Sequence, residues 1–343
     1  MFADRIEGKW IDAFAELFEA ARIRPDERVA ILAETQSRAL NVHLAELALA
    51  RLGVAAFTLT VPTPRSGPMI VRSTGASRAL DGFDAVVETL QRVDVVVDLT
   101  IEGLMHARQT GAILGAGTRI QVISNEHPEV LERMRPDPAL KEAVREAARA
   151  ARGASEMRVT SPAGSDLTVD MRGAQTVGVW GWTDKPGTLA HWPGGIVVSF
   201  PRAGTISGRL VLSPGDMNLT YKRYVEAPVH LTLADDRVRA VEGEGVDARL
   251  MRDTLAAWND PEAYAVSHVG WGLNPAARWD ALTMMDKAET NGTELRAVAG
   301  NFLFSTGANE FAGRFTEGHF DLPMMGCTIS LDGVDVVREG RLV

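Results

Sequence analysis

The sequence predicts an α/β protein in which a parallel-sheet α/β domain is followed by a mixed, β-rich α+β domain. Three observations predict it. Over the first ~150 residues, apolar side chains alternate between helical spacing and short strand-like runs. After a charged helix, short β-rich segments separated by Gly, Pro and Asp take over. The chain has 343 residues, 45% hydrophobic and 24% charged, enough to bury two cores without disulfide staples.

The elements follow in order. Residues 10–23 place Trp10, Ile11, Phe14, Leu17, Phe18 and Ala21 at helical spacing. Residues 28–32 form a short apolar run, read as a buried strand. Residues 40–52 return to helical spacing, 54–61 read as strand and 84–91 as helix. The run Val93-Asp-Val-Val-Val-Asp98 is the clearest strand, and residues 119–124 form another. Strands alternating with helices imply a parallel sheet covered on both faces. Residues 136–152 form a charged helix with Leu140, Val144, Ala147 and Ala151 on one face, ended by Gly153-Ala-Ser. The domain boundary falls there, dividing residues 1–155 from 156–343. Beyond it, 158–160, 196–200, 208–212 and 229–233 read as antiparallel strands, and 247–259 as one amphipathic helix.

Several functions are excluded early. A net charge of -9 argues against a nucleic-acid partner, which needs a basic surface. No apolar run reaches the ~20 residues of a membrane helix. The first residues, Met-Phe-Ala-Asp-Arg-Ile-Glu, lack the apolar core of an export signal. The single cysteine, Cys327, cannot form an internal disulfide, so a cytoplasmic, reducing location is expected. A dinucleotide site needs glycines between a strand and its helix. The first strand runs into Ala33-Glu-Thr-Gln-Ser-Arg38, which has none, and Gly111-Ala-Ile-Leu-Gly-Ala-Gly117 precedes a strand, so turn and cap roles are assigned there.

Chemistry concentrates in the histidines. His43, His127 and His230 read as structural. His319 and Asp321 lie in Gly318-His-Phe-Asp-Leu-Pro323, where extended chain puts positions i and i+2 on one face and Phe320 on the other. An imidazole and a carboxylate so placed can share a metal. One more histidine completes a two-His-one-carboxylate triad that suits non-haem iron(II) and leaves positions open. His268, in Ala265-Val-Ser-His-Val-Gly-Trp-Gly272, is the best third ligand, because its glycines let backbone approach closely. His191 lies in Leu189-Ala-His-Trp-Pro-Gly-Gly195. His106 follows the strand 93–98, on the side of a parallel sheet where ligands bind. Their bland readings are a hydrogen bond within a Trp/Pro turn for His191 and a helix cap for His106.

Four stretches carry a resemblance: His191-Trp-Pro, Ser267-His-Val-Gly-Trp-Gly-Leu-Asn-Pro, Gly300-Asn-Phe-Leu-Phe-Ser-Thr-Gly307 and His319-Phe-Asp-Leu-Pro. With Val97-Asp98 and Gly117-Thr-Arg119, the chain resembles the 2,5-dihydroxypyridine 5,6-dioxygenase family over nearly its whole length. That family is related to metal-dependent aminopeptidases. The resemblance implies Fe(II) held by residues matching His268, His319 and Asp321, with His106, His191 and Ser305 lining the substrate pocket. It also implies a homo-oligomer acting on a small aromatic substrate and O2. In one place the chain departs from the pattern: Val179 stands where the family has an acidic, substrate-contacting residue, so a different or less polar ring is expected. His191 and His106 are equal candidates for proton transfer, with Ser305 positioning substrate. The alternative, a metal-dependent aminopeptidase-like hydrolase, requires two metals bridged by carboxylates. The acids nearest the His-x-Asp pair in sequence, Glu310 and Glu317, fall in no recognisable motif.

Overall fold

The structure is a computed structural model and describes residues 5–65 and 77–343. Its first part comprises α1 (Gly8–Ala20), β1 (Val29–Glu34), α2 (Ala39–Arg51), β2 (Ala56–Val61), α3 (Asp84–Leu90), β3 (Val95–Asp98), α4 (Thr110–Gly115), β4 (Arg119–Ile123), α5 (Pro128–Arg133) and α6 (Pro138–Gly153). Parallel strands covered on both faces must be apolar throughout, and β1, β3 and β4 are buried at every position. Successive side chains point to opposite faces. Val95 and Val97 therefore join Phe14, Phe18 and Leu44 on one side. Val96 joins Leu32, Ile113 and Ile120 on the other. Pro138 opens α6 after Asp137, whose side chain caps the helix by accepting from Ala139 N–H.

The second part begins with β5 (Glu156–Thr160), β6 (Asp166–Asp170), β7 (Gln175–Val179), β8 (Leu189–Trp192), β9 (Ile196–Phe200) and β10 (Ile206–Leu212). The short β11 (Met217–Asn218) and β12 (Arg223–Tyr224) lead to β13 (Val229–Ala234), β14 (Arg237–Glu242) and α7 (Val246–Trp258). Then come β15 (Val266–Gly272), α8 (Ala281–Met284), α9 (Thr293–Arg296), β16 (Phe302–Thr306), β17 (Phe320–Met324), β18 (Thr328–Leu331), β19 (Val334–Arg338) and β20 (Arg341–Leu342). An eight-stranded sheet runs β14-β13-β10-β6-β5-β18-β19-β20, and a five-stranded sheet runs β17-β16-β15-β9-β7. The main core lies between them. Met157, Val159, Leu167 and Val169 of the large sheet meet Val269, Trp271, Phe302, Phe304 and Phe320 of the smaller one.

The expected architecture, a parallel-sheet α/β region plus an antiparallel β-rich region, is therefore present. The parallel sheet runs β2-β1-β3-β4-β8. Its fifth strand, β8, comes from beyond residue 155 and pairs with β4 in parallel, Val122 opposite His191. The chain thus crosses back into the first sheet after the expected boundary. Gly270 shows how tightly the small sheet is built: a Cβ there would lie 1.9 Å from Val197 O. No helix among the described residues is long and apolar enough to cross a membrane.

Candidate metal centre and active site

Three neighbouring strands bring the site together. In the antiparallel register His268 of β15 stands opposite Ser305 of β16, and Ser305 opposite Asp321 of β17. Residues directly opposite in adjacent strands share a face, so the three form a row on the side turned away from the main core. His319, two residues before Asp321, joins the same face, while Phe320 packs into that core, 1% exposed. Gly307 makes room for the imidazole: its φ is +110°, and a Cβ there would lie 2.2 Å from Gly318 O and 3.2 Å from His319 Nδ1. Donor atoms from His268, His319 and Asp321, one each, all lie within 4.8 Å of one another, and all three residues are buried. Nε2 of His319 lies 3.2 Å and Nε2 of His268 3.9 Å from Asp321 Oδ1.

The charges around Asp321 are arranged to keep it ionised. Burial would raise its carboxyl, but the Arg296 guanidinium, then His319 and His268, outweigh this and hold it well below the usual range. Arg296 Nε donates to Oδ2 at 2.6 Å. The Ser305 hydroxyl donates to Oδ1. Burial pushes the His268 imidazole down to about 3, against the pull of Asp321, so it is neutral at pH 7 with a free lone pair.

A second wall comes from the parallel sheet. Asp98, at the C-terminal end of β3, accepts from Thr100 N–H at 2.9 Å, Thr100 Oγ1 at 2.7 Å and Leu104 N–H at 2.7 Å. Those bonds curl the loop that carries His106. The His106 ring stands 5.8 Å from that of His319 and 6.4 Å from that of His268, nearly parallel to the latter. Its Nδ1 lies 2.6 Å from Glu310 Oε1. A carboxylate can only accept, so Nδ1 carries the proton and Nε2 is the free end. Burial opposes ionisation of Glu310, but its bond to His106 prevails and the carboxyl lies below its ordinary value. Phe200 closes another side, 5.3 Å from the His268 ring. A cavity of about 490 Å³ opens beside His106, lined also by Arg78, Asp81, Arg108, Trp258, Asp260 and Phe315, with none of the three triad residues in its lining.

His191, at the end of β8, is 7% exposed. Its Nδ1 donates to Pro193 O at 2.8 Å, which realises the bland hydrogen-bonding role and leaves Nε2 free. Burial pushes this imidazole down to about 4, and the charges of Arg296 and Asp321 both act on it. Val179 ends β7 inside an apolar cluster with Ala190, Ile196, Val198 and Phe200. The helix that follows His106, α4, has Gln109 at its N-cap and no side-chain cap. His127 does cap a helix: its Nδ1 accepts from Glu129 N–H at the start of α5. Arg296 and Phe200 carried no sequence signal, and Glu310, in no motif of its own, meets a partner 204 residues away.

The donor set fits a metal ion. Two neutral-capable imidazoles and one ionised carboxylate converge, and Nδ1 of both His268 and His319 is buried with no hydrogen-bond partner. Among the described residues neither ring is hydrogen-bonded to anything outside the triad, so the Nε2 atoms that face Asp321 Oδ1 are available to a cation. Among the described residues this is the one such cluster, and it holds a single carboxylate.

The chain is similar to known proteins over nearly its whole length. The 2,5-dihydroxypyridine 5,6-dioxygenase family model matches residues 9–343. A protein named 2,5-dihydroxypyridine 5,6-dioxygenase from Pseudomonas putida strain KT2440 is 34% identical over 335 residues, covering 96% of this chain and 95% of its own. The solved structure of 2,5-dihydroxypyridine dioxygenase from the same organism superposes with a TM-score of 0.90 over 97% of this chain and 96% of that one. Wild-type AmpT from Thermus thermophilus, 16% identical with a TM-score of 0.65 over 98% and 99% of the two chains, shares the fold. With a match that runs from α1 to the last residue, the chain belongs to the 2,5-dihydroxypyridine 5,6-dioxygenase family.

Proposed function

We propose that this chain is a ring-cleaving dioxygenase that opens a hydroxylated aromatic or heteroaromatic ring, such as a dihydroxypyridine, and inserts both atoms of O2. In this reading His268, His319 and Asp321 hold one iron(II) ion. The observation that carries it is the convergence of those three buried donors in a chain of this family. Two imidazoles and one carboxylate suit non-haem iron(II) and leave positions for two further ligands. When bound, the metal supplies Lewis-acid and one-electron chemistry that aromatic rings and O2 lack by themselves.

The remaining steps belong to the protein. A ring hydroxyl must lose its proton to become electron-rich, and His106 is the better acceptor. Its Nδ1 proton is held by Glu310, so Nε2 takes the substrate proton while the carboxylate stabilises the imidazolium. His191 resists protonation, its pKa being about 4, and acts as a neutral hydrogen-bond partner through Nε2. Ser305 acts through Asp321, whose carboxylate it helps to orient. Val179 belongs to the same apolar cluster as Phe200, so its part in substrate selection is steric. Dividing the chain at 155/156 keeps the three ligands in the second unit, with His106 contributed by the first.

The test is isotopic. Protein loaded anaerobically with iron(II) is given 2,5-dihydroxypyridine and related hydroxypyridines under ¹⁸O2. Two labelled oxygens in a ring-opened product are expected. A product with one label, or none, contradicts the reading.

A further inference from the structure

A carboxylate removed from water is costly unless its lone pairs are filled. Glu126, in the loop after β4, is 1% exposed. Its oxygens are filled by backbone. Oε2 accepts from Asn291 N–H at 2.8 Å, and Oε1 accepts from Gly292 and Thr293 N–H, both at 2.8 Å, and from Glu294 N–H at 3.4 Å. These donors open the single turn α9, which ends in Arg296. The Glu126 backbone is itself fixed, its carbonyl accepting from Asn41 Nδ2 at 3.0 Å and its N–H donating to Ser124 O at 2.7 Å. One turn later Arg296 Nε meets Asp321 Oδ2 at 2.6 Å. The other oxygen, Oδ1, is the one that faces the Nε2 atoms of His319 and His268.

We propose that Glu126 is a positioning residue for the metal centre: by clamping the turn 291–294 it sets Arg296 against Asp321 Oδ2 and restricts the Asp321 carboxylate to binding metal through Oδ1 alone. The inference rests on the triad reading above. Its consequence is chemical. A carboxylate free to rotate can bind through both oxygens and occupy a second coordination position, one that substrate or O2 needs. Outer residues that orient a ligand in this way commonly change metal affinity when altered. The clamp reaches from the parallel sheet to the ligand strand β17, so it also ties the two halves of the site to one geometry.

Glu126→Gln is the informative change. The glutamine oxygen still accepts from Gly292 and Thr293, but its amide nitrogen then faces the Asn291 N–H, donor against donor. The turn stays folded, because the Glu294 carboxylate remains bound to Arg133 and to Arg278 N–H. The probe is cobalt(II) on the full chain under anaerobic conditions. Its affinity is read by chelator competition and its coordination by visible absorption. Glu126→Gln and Arg296→Lys should each weaken cobalt binding about tenfold and shift the absorption bands. The double variant should be no weaker than Arg296→Lys, since both act on one path. Glu126→Asp, which keeps the charge but withdraws it, should fall between wild type and Glu126→Gln. Unchanged affinity and spectrum with only a lowered melting temperature would assign Glu126 a purely structural role and overturn the inference, as would additive losses in the double variant. Asp321→Ala separates the two levels: full cobalt affinity in that protein would instead remove the triad reading on which the inference stands.

Discussion

Mild acid should cost this fold about 2 kcal/mol through one side chain, His191. Burial depresses its imidazole from the ordinary value of 6.5 to about 4. The group is neutral in the folded protein over a range where the unfolded chain is protonated. Its contribution is therefore complete above pH 6.5 and is lost as pH falls from 6.5 towards 4. Each pH unit in that window removes about 1.4 kcal/mol, which makes about 2 kcal/mol by pH 5. Urea unfolding of metal-free protein at pH 7 and pH 5 measures the loss directly. His191→Gln does not titrate. Losses from other buried groups, His268 among them, occur in both proteins and cancel in the comparison. Wild type should lose about 2 kcal/mol more than His191→Gln between the two pH values. Equal losses would refute the reasoning, because a side chain that titrates alike folded and unfolded contributes no pH dependence.

Three further outcomes follow from the geometry. His106→Asn should lower kcat by about 10²–10⁴ with a smaller change in KM. Glu310→Gln, which removes the charge behind Nδ1, should lower kcat roughly tenfold. Steady-state kinetics checks both, and a larger loss from His191→Gln than from His106→Asn would reverse the roles. Gly270→Ala should destabilise the chain by roughly 3 kcal/mol or more, since its Cβ would collide with Val197 O and push β15 from β9. Thermal melting reads this, and a wild-type melting temperature would show that the two strands separate more freely than the structure implies.

What was legible in the sequence had a short-range cause. β1, β3 and β4 were visible because strands covered on both faces must be continuously apolar. His319 and Asp321 were visible because a period of two puts them together whatever the tertiary fold. β8 left little trace: it is four residues long, and its parallel partner lies far back in the chain. The supports of the site were not legible for the same reason. Glu310 meets His106 across 204 residues, and Glu126 meets α9 across more than 160. Such pairs are brought together by loops whose course no local pattern states. Ser305 was singled out in the sequence as a substrate-positioning residue through its resemblance stretch, but its bond to Asp321 came only from the β16–β17 register.

The central claim is tested most directly by counting metal. Wild type and the variants His268→Ala, His319→Ala and Asp321→Ala are loaded with iron(II) under anaerobic conditions, freed of excess ion, checked for fold by circular dichroism and analysed for iron. The account predicts one iron per chain in wild type and loss of bound iron in each folded variant. Two metals per wild-type chain, or full occupancy in any of the three variants, would contradict it.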